Sequence, residues 1–399
     1  MPNLSVCFLT NTYPEFDSSY RAIFIKKMAL GLQREGYQVS VVTPKIFGGS
    51  RTVEEQGGVQ VFRFPFFARN RLLIEYKKIP YLRMILYYIS GTAVTFYALL
   101  RHRCHLIHVH WAIPTGLIGV VLGTLLRKPL VVTVHGSDFK MAEEGSSFLR
   151  KIFLFVCHRA HSVHCVSEVM RRGLEQMGVE KKKILTFPMG IDEAFFEAGR
   201  KRGSRSKDKP WTVLSNRNLH PLYNISLFIR AIPKVLEEEP KTRFLVAGEG
   251  PEKECLERES VRLNLGSNIQ FLGRIPNEKM PDLLAETDIY VSTSLSDGTS
   301  VSLLEAMAAG AFPIVTEIPS NVEWVMDRKN GFLVPTEGEE ALARRILDAI
   351  RDPTLAEGSR LENADVIHKK AVWSVILEKT KEVYHRALDC QGSERHKDC

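Results

Sequence analysis

The sequence predicts an α/β protein with two domains, each built on a parallel β-sheet. Short apolar runs of strand length alternate with segments of helical spacing along most of the chain. A length of 399 residues suits two domains better than one. Residues 197–210 are rich in basic side chains and also contain Gly and Ser, which predicts an exposed linker between residues 1–196 and 211–370.

In the first half, six apolar runs have the length and composition of strands. They fall at residues 4–9, 39–43, 57–67, 105–110, 130–134 and 162–166. The run at 130–134, Leu-Val-Val-Thr-Val, is nearly continuous, as expected of a strand buried on both faces. Residues 24–32 have helical spacing and precede a glycine, so they complete a first βαβ unit.

The segment at residues 84–100 contains no charged residue and lies between Arg83 and Arg101. Seventeen residues is the lower limit of a membrane-spanning helix. Three readings remain open: a buried helix of the first domain, a helix lying on a membrane surface, and a true span.

The second half begins again with strands near residues 212–215, 243–247 and 269–273. Residues 288–316 then predict a strand, a polar loop, a helix and a further strand, which is a second clear βαβ unit. A helix predicted at about 371–390 ends the structured chain.

The loop of this second unit has the features of a ligand site. Gly298 allows close approach of the backbone, and the amides of Gly298, Thr299, Ser300 and Val301 lie at a predicted helix N-terminus that favours phosphate. Asp297 and Glu305 are eight residues apart and suit sugar hydroxyls. Together these features indicate a nucleotide sugar, whereas a simple N-cap Asp and a solvated helical Glu would explain the same two acids.

The acidic pair, with Gly after the first acid and Leu-Leu-Glu-Ala-Met-Ala-x-Gly around the second, resembles glycosyltransferase family 4. The resemblance runs over roughly residues 4–390. It implies the GT-B fold, with two Rossmann-like domains whose parallel sheets face an interdomain cleft, and a last helix that crosses back to the first domain. It also implies a retaining transferase that uses a nucleoside-diphosphate sugar.

The resemblance assigns roles to individual residues. His135, Asp297 and Arg217 are the expected catalytic residues, with His135 and Asp297 contacting the transferred sugar and Arg217 the diphosphate. Glu305 is expected on the ribose. The expected donor-binding residues are Arg217, Ile275, Asp297, Gly298, Thr299, Ser300, Val301 and Glu305. Tyr20, Arg21 and Asp138 are expected on the acceptor side.

Two segments depart from the family pattern. Many members carry a lysine shortly after the phosphate-binding arginine, but here the run is His220-Pro-Leu-Tyr-Asn224. Glycines are common in the first loop of the family, where this chain has Ser18-Ser-Tyr-Arg21. Arg21 is a candidate to replace the lost backbone contact with a cation.

Composition adds expectations about partners and location. Residues 1–210 carry a net charge of +15 and residues 211–399 a net charge of −7, so an anionic partner is expected for the first half. A membrane surface or an acidic acceptor fits this charge and the family, and no nucleic acid is expected. Solvated lysines on helices would explain the same charge without any partner. Seven cysteines without paired short spacings and an N-terminus without a basic leader predict a cytoplasmic protein. The charge adds the option of peripheral attachment to the inner face of a membrane.

The expected activity is sugar transfer to a glycan or lipid-linked acceptor, with no cofactor and no metal. Two alternatives remain open: a nucleotide-sugar epimerase of the same architecture, and a non-catalytic nucleotide-sugar-binding subunit.

Overall fold

A computed structural model describes residues 4–16, 21–68, 70, 81–203, 205–206 and 208–395. The chain forms two compact units. The first comprises Met1–Pro188 together with Ile376–Cys399, and the second comprises Met189–Val375. Each unit has its own β-sheet, as the two-domain prediction required.

The first domain contains an eight-stranded sheet with the order β3-β4-β2-β1-β5-β6-β7-β8 within the described residues. Its strands are β1 Ser5–Thr10, β2 Gln38–Lys45, β3 Val53–Gln56, β4 Val59–Pro65, β5 Leu106–His110, β6 Leu130–Val134, β7 Ser162–Cys165 and β8 Ile184–Thr186. All neighbouring pairs are parallel except the edge hairpin of β3 and β4. The central strands β1, β5 and β6 are buried along their whole length, which explains their continuous apolar sequences.

Helices connect these strands. They are α1 Ile23–Arg34, α2 Tyr81–Arg101, α3 Thr115–Leu125, α4 Ser137–Glu144, α5 Ser147–Arg159 and α6 Glu168–Gln176. Helix α2 contains the uncharged segment. Its window Leu82–Arg101 has a mean hydropathy of 1.2, is 28% buried, and by length and composition alone could cross a membrane.

The second domain contains a six-stranded parallel sheet with the order β11-β10-β9-β12-β13-β14. Its strands are β9 Thr212–Ser215, β10 Arg243–Ala247, β11 Ile269–Gly273, β12 Ile289–Ser292, β13 Phe312–Thr316 and β14 Phe332–Val334. Ile289 and Val291 pack into one apolar cluster, while Tyr290 packs into the other. Both faces of the sheet are therefore covered, as in a doubly wound α/β domain.

The helices of the remaining chain are α7 Glu193–Lys201, α8 Ile225–Glu238, α9 Lys253–Arg262, α10 Met280–Ala285, α11 Val301–Ala308, α12 Pro319–Val322, α13 Glu339–Arg351, α14 Pro353–Ala371 and α15 Trp373–Arg395. Helix α11 follows β12 and precedes β13, so the predicted strand–loop–helix–strand unit is present.

The boundary between the units lies earlier than the sequence predicted, at Pro188 and Met189. Part of the segment predicted as a linker belongs to helix α7, whose Phe195 and Phe196 are buried in a core cluster of the second domain. Basic and small residues suggested an exposed linker, but two adjacent aromatic side chains bind this helix to the domain that follows.

The second passage of the chain between the units occurs within helix α15, at Val375 and Ile376. Just before it, Ile191 and Val372 form a parallel bridge, and the Ile191 amide donates to the Ala371 carbonyl at 2.7 Å. Gly190 lies against the Trp373 ring, where an added Cβ would fall within 2.1 Å of the indole. Only glycine therefore allows this contact between the two crossing segments.

After the crossing, α15 is joined to the first domain by a buried hydrogen-bond relay. Tyr384 Oη lies 2.8 Å from His108 Nδ1, and His108 Nε2 lies 2.7 Å from Thr133 Oγ1. Thr133 Oγ1 is 3.1 Å from His164 Nδ1, and His164 Nε2 is 2.7 Å from the Phe187 carbonyl.

The direction of this relay follows from its last member. A carbonyl only accepts, so His164 donates from Nε2 and accepts at Nδ1 from the Thr133 hydroxyl. Thr133 then accepts from His108 Nε2–H, and His108 accepts at Nδ1 from the Tyr384 hydroxyl. Every polar atom of the relay has a partner only when both imidazoles are neutral, and burial keeps the pKa of both His108 and His164 below the ordinary value.

We predict that Tyr384→Phe destabilises the first domain by about 1–3 kcal/mol, because it leaves the buried His108 Nδ1 without a donor. Thermal unfolding measures the effect. Tyr97→Phe, which removes the hydroxyl of an exposed tyrosine, is the matched control and should melt with the parent. A Tyr384→Phe protein as stable as the parent would contradict the relay.

Candidate functional site

The loop between β12 and α11 forms the centre of the candidate site in the second domain. Helix α11 begins at Val301, and Ser300 is its N-cap, with its hydroxyl accepting from the Leu303 amide at 3.2 Å. Asp297 is not the cap: its Oδ1 accepts from the Gly298 amide at 2.8 Å. The open first turn of this helix leaves backbone N–H groups for an anion.

Arg217, which follows β9, reaches this loop. Its guanidinium donates to Ser300 Oγ at 2.7 Å and forms an ion pair with Asp297 Oδ2. Burial acts to lower the pKa of Arg217, but the Asp297 carboxylate and the Tyr290 and Tyr223 side chains together outweigh burial and raise it. The structure thus brings Arg217 into contact with Asp297 and Ser300, which lie 80 and 83 positions further along the chain. Arg217 and Asp297 are predicted catalytic residues, and Ser300 is a predicted donor-binding residue.

The turn at residues 220–224 packs against the same arginine. The Arg217 guanidinium carbon lies 4.3 Å from the centre of the Tyr223 ring, a cation–π contact that sequence reasoning missed. The glycine turn after β10 packs against the other side of this segment. A Cβ on Gly248 would fall 2.4 Å from the Arg217 carbonyl oxygen, so the two turns approach only because that position is glycine.

Four buried polar atoms at the end of β9 and in the neighbouring strand β12 have no hydrogen-bond partner among the described residues. They are Ser215 Oγ, Asn216 Oδ1, Arg217 Nε and Tyr290 Oη. Arg217, Asp297 and Glu305 all act electrostatically on the Tyr290 hydroxyl, and burial raises the pKa of Tyr290 to about 12. Buried polar atoms of a native protein normally have partners, so their grouping here indicates a place for a polar ligand or for water.

A second group of predicted residues lies in the first domain, at the carboxyl ends of β5 and β6. The His135 ring is flanked by Phe24, Trp111 and His110, with ring centres 5.1, 4.6 and 5.3 Å away. His110 Nδ1 lies 3.0 Å from His135 Nε2. His110 could have been found from the sequence, since it shares one face of β5 with His108.

Asp138 holds the two loops of this group together. One carboxylate oxygen accepts from the Ala112 amide at 2.8 Å and the other from the His135 amide at 3.0 Å. Burial raises the pKa of Asp138 to about 6, although these amides act in the opposite direction. Its contacts make Asp138 a residue that orients His135, and the predicted acceptor-side role stays a prediction.

The other predicted residues are placed as follows. Glu305 lies in α11 and is half-buried, as are Ile275, Gly298, Thr299 and Val301. The Arg21 guanidinium carbon lies 5.5 Å from the Phe47 ring centre. Tyr20 lies outside the described residues. In the described part of the chain, no group of three or more His, Cys, Asp or Glu side chains could hold a metal ion.

Two family models match the chain. The model described as "Glycosyl transferase 4-like domain" matches residues 22–190, and "Glycosyl transferases group 1" matches residues 198–364. Phosphatidyl-myo-inositol mannosyltransferase of Mycolicibacterium smegmatis is 24% identical over 64% of this chain and 64% of its own length. Alpha-monoglucosyldiacylglycerol synthase of Streptococcus pneumoniae is 25% identical over 82% of this chain and 74% of its own length.

Solved structures show the same fold. Sucrose-phosphate synthase from Thermosynechococcus elongatus superposes with a TM-score of 0.81 at 17% identity, covering 96% of this chain and 98% of its own. HepE from Anabaena in complex with UDP-glucose superposes with a TM-score of 0.75 at 18% identity, covering 96% and 99%. These neighbours define the GT-B fold.

The fold and the family models define a glycosyltransferase. The chain belongs to the group 1 glycosyltransferases with a 4-like N-terminal domain. The family, the fold and the transferase class that the sequence motifs predicted are all confirmed.

We predict that the first domain loses stability as the pH falls below 6.5. Burial lowers the pKa of His164 to about 4 and that of His108 and His110 well below the ordinary value. The unfolded chain therefore takes up protons between pH 6.5 and about 4 that the folded chain excludes. Each such histidine contributes a loss on the order of 1.4 kcal/mol per pH unit over its window.

Thermal unfolding between pH 7.5 and 4.5 measures this slope. His164→Gln, which cannot titrate, should make the slope shallower. His158→Gln, at an exposed position, should leave it unchanged. Equal slopes for all three proteins would show that His164 titrates normally in the folded state.

Proposed function

We propose that this chain transfers a sugar, with retention of configuration, from a nucleoside-diphosphate sugar to a lipid-linked or glycan acceptor. The observation that carries the proposal is the buried Arg217, bonded to Asp297 and Ser300 at the N-terminus of α11. A buried cation beside an open helix N-terminus is suited to a diphosphate leaving group.

The charges in this site favour a ligand with both anionic and hydroxyl groups. In the protein alone, Asp297 neutralises Arg217. A diphosphate adds negative charge that Arg217, the N-cap residue Ser300 and the amides of the first turn of α11 can stabilise. Asp297 has lone pairs left for sugar hydroxyls, and Glu305, half-buried in α11, is a candidate acceptor for ribose hydroxyls. A nucleotide sugar supplies all of these groups.

The proposed reaction breaks the bond between the anomeric carbon and the diphosphate oxygen and forms a bond from the acceptor oxygen to that carbon. The acceptor's proton passes to an oxygen of the departing diphosphate. Arg217 stabilises the charge that develops on this diphosphate, and no metal is part of the proposal. His135 contacts the transferred sugar, as the resemblance to family 4 implies.

The proposal is tested first by binding and then by turnover. UDP-sugars come first in a thermal-shift panel, because HepE was crystallised with UDP-glucose. A ligand at a hundredfold its Kd stabilises the folded chain by about 2.7 kcal/mol. The stabilising donor is then incubated, with EDTA present, with phosphatidylinositol, diacylglycerol or oligosaccharide acceptors, and the product's anomeric configuration is determined by NMR.

A product with the donor's configuration supports the proposal. Conversion of the nucleotide sugar without any acceptor would show an epimerase. Donor binding without turnover on any acceptor would favour a non-catalytic role, and inverted configuration would overturn the retaining mechanism.

We predict that Arg217→Ala lowers kcat by about two or more decades, because its charge acts mainly on the departing diphosphate. Arg217→Lys should recover part of this loss, since it keeps the charge but not the fork that reaches both Asp297 and Ser300. The matched control is Arg262→Ala, at an exposed position of α9. An Arg217→Ala enzyme that is folded and within a few-fold of the parental kcat would show that another group carries the charge.

We also propose that helix α2 docks the first domain on an anionic phospholipid membrane. Five of its exposed apolar side chains are spaced three, four or seven positions apart, so they lie along one stripe of the helix. They are Leu82, Ile85, Ile89, Phe96 and Leu100. The neighbouring helix α3 also exposes Val121 and Leu125. An outward apolar stripe, in a half of the chain with a charge of +15, suits a membrane surface that carries negative charge.

We predict that the chain sediments with anionic vesicles at low salt and is released as salt rises, with weak binding to neutral vesicles. The double variant Ile85→Asp/Ile89→Asp should lose this binding. Leu361→Asp, which alters an exposed apolar residue of α14, should keep it. If the unmodified protein does not bind anionic vesicles at low salt, the docking proposal is wrong. If only detergent releases it from the vesicles, α2 spans the membrane.

A further inference from the structure

His110 is a buried titratable residue to which the proposed reaction gives no role. It ends β5, is fully buried, and its Nδ1 lies 3.0 Å from His135 Nε2. The two rings are stacked, with an interplanar angle of 23°. A hydrogen bond between two imidazole nitrogens contains one proton, so one ring donates and the other accepts.

The other nitrogen of His110 decides which ring donates. His110 Nε2 is buried and has no hydrogen-bond partner in the described part of the chain. A buried N–H group without an acceptor is costlier and rarer than a lone pair without a donor. The proton of His110 is therefore on Nδ1, and Nδ1–H donates to His135 Nε2.

This assignment fixes the state of His135. Its Nε2 accepts, so the neutral ring carries its proton on Nδ1. The described residues provide no hydrogen-bond partner for that Nδ1 atom, because the hydrogen bonds of His135 to them involve only Nε2 and the backbone amide. Phe24 and Trp111 flank the ring and restrict its plane. The result is a fixed N–H donor that is free for an outside acceptor.

We infer that His110 is a positioning residue that holds His135 in the Nδ1–H tautomer, so that His135 donates a hydrogen bond to an oxygen of the transferred sugar. The inference rests on the proposed function for the identity of the acceptor. The tautomer itself depends only on residues of the first domain. His110 touches no substrate, and its effect passes through the bond to His135.

Two-bond proton–nitrogen NMR spectra of protein labelled with 15N in the histidine rings test the tautomer directly. His135→Asn identifies the signals of His135. In the parent, His135 should show a protonated Nδ1 and an unprotonated Nε2. His110→Phe should shift this pattern toward protonated Nε2, and His110→Asn, whose amide sits near the place of Nδ1, should restore it. A protonated Nε2 in the parent, or an unchanged pattern in His110→Phe, would overturn the inference.

Turnover gives the second measurement, with the donor and acceptor found by the panel. His110→Phe should lower kcat roughly 10- to 100-fold, since a misoriented contact group costs about this much. The affinity for UDP, measured by calorimetry, should stay within about twofold, because the proposed nucleotide contacts lie in the second domain. His110→Asn should regain most of the rate.

A His110→Phe enzyme with the parental kcat would contradict the positioning role. If the parent transfers no sugar to any acceptor, the proposed function fails. The NMR pattern then still decides whether His110 sets the tautomer, so the two failures are distinguishable.

Discussion

The structure of the first domain depends on a buried hydrogen-bond relay that ends at one backbone carbonyl. The Phe187 carbonyl can only accept, which places a proton on His164 Nε2, and for neutral imidazoles the protons of Thr133, His108 and Tyr384 follow in turn. The relay joins β5, β6 and β7 to the C-terminal helix, which is 276 residues beyond His108. The relay thus attaches α15 to the sheet, and all its polar atoms have partners only when both buried imidazoles are neutral.

In the candidate site of the second domain, a buried charge must likewise have a partner. Burying Arg217 is costly unless its charge is compensated, and Asp297 provides that compensation. Ser300 has two tasks, since its hydroxyl caps α11 and accepts from Arg217. The Tyr223 ring packs against the guanidinium, with its centre 4.3 Å from the guanidinium carbon. The arginine is therefore held rigidly beside the helix N-terminus, which suits a group that must stabilise charge as it develops.

Both sites place their polar groups at the carboxyl ends of parallel strands. Arg217 follows β9, the acidic loop follows β12, and His135 follows β6. Ligands of open α/β sheets bind at these ends because the loops there leave the sheet together. The unpartnered atoms Tyr290 Oη and His110 Nε2 lie near these groups. Buried polar atoms without a hydrogen-bond partner among the described residues are thus found beside both candidate sites.

Much of the fold could be predicted from the sequence. Apolar runs gave most strands, and the loop of Asp297 with the helix of Glu305 was recognisable from spacing alone. The domain boundary was not placed correctly, because Phe195 and Phe196 lie next to a basic, Gly-containing stretch and their burial depends on the second domain. The edge strand β3 was missed because its sequence, Val-Glu-Glu-Gln, has no apolar run and is held by pairing with β4.

The sequence by itself determined the alternation of strands and helices, the βαβ unit around Asp297 and Glu305, and the family. These features depend on spacing within about thirty residues, where backbone geometry fixes which side chains share a face or a turn. Only the tertiary structure decided that Arg217 pairs with Asp297, that His110 bonds to His135, and that Tyr384 completes the relay. Strand register and the return of the last helix bring those partners together. Neither the register nor the path of that helix can be predicted from a local sequence pattern.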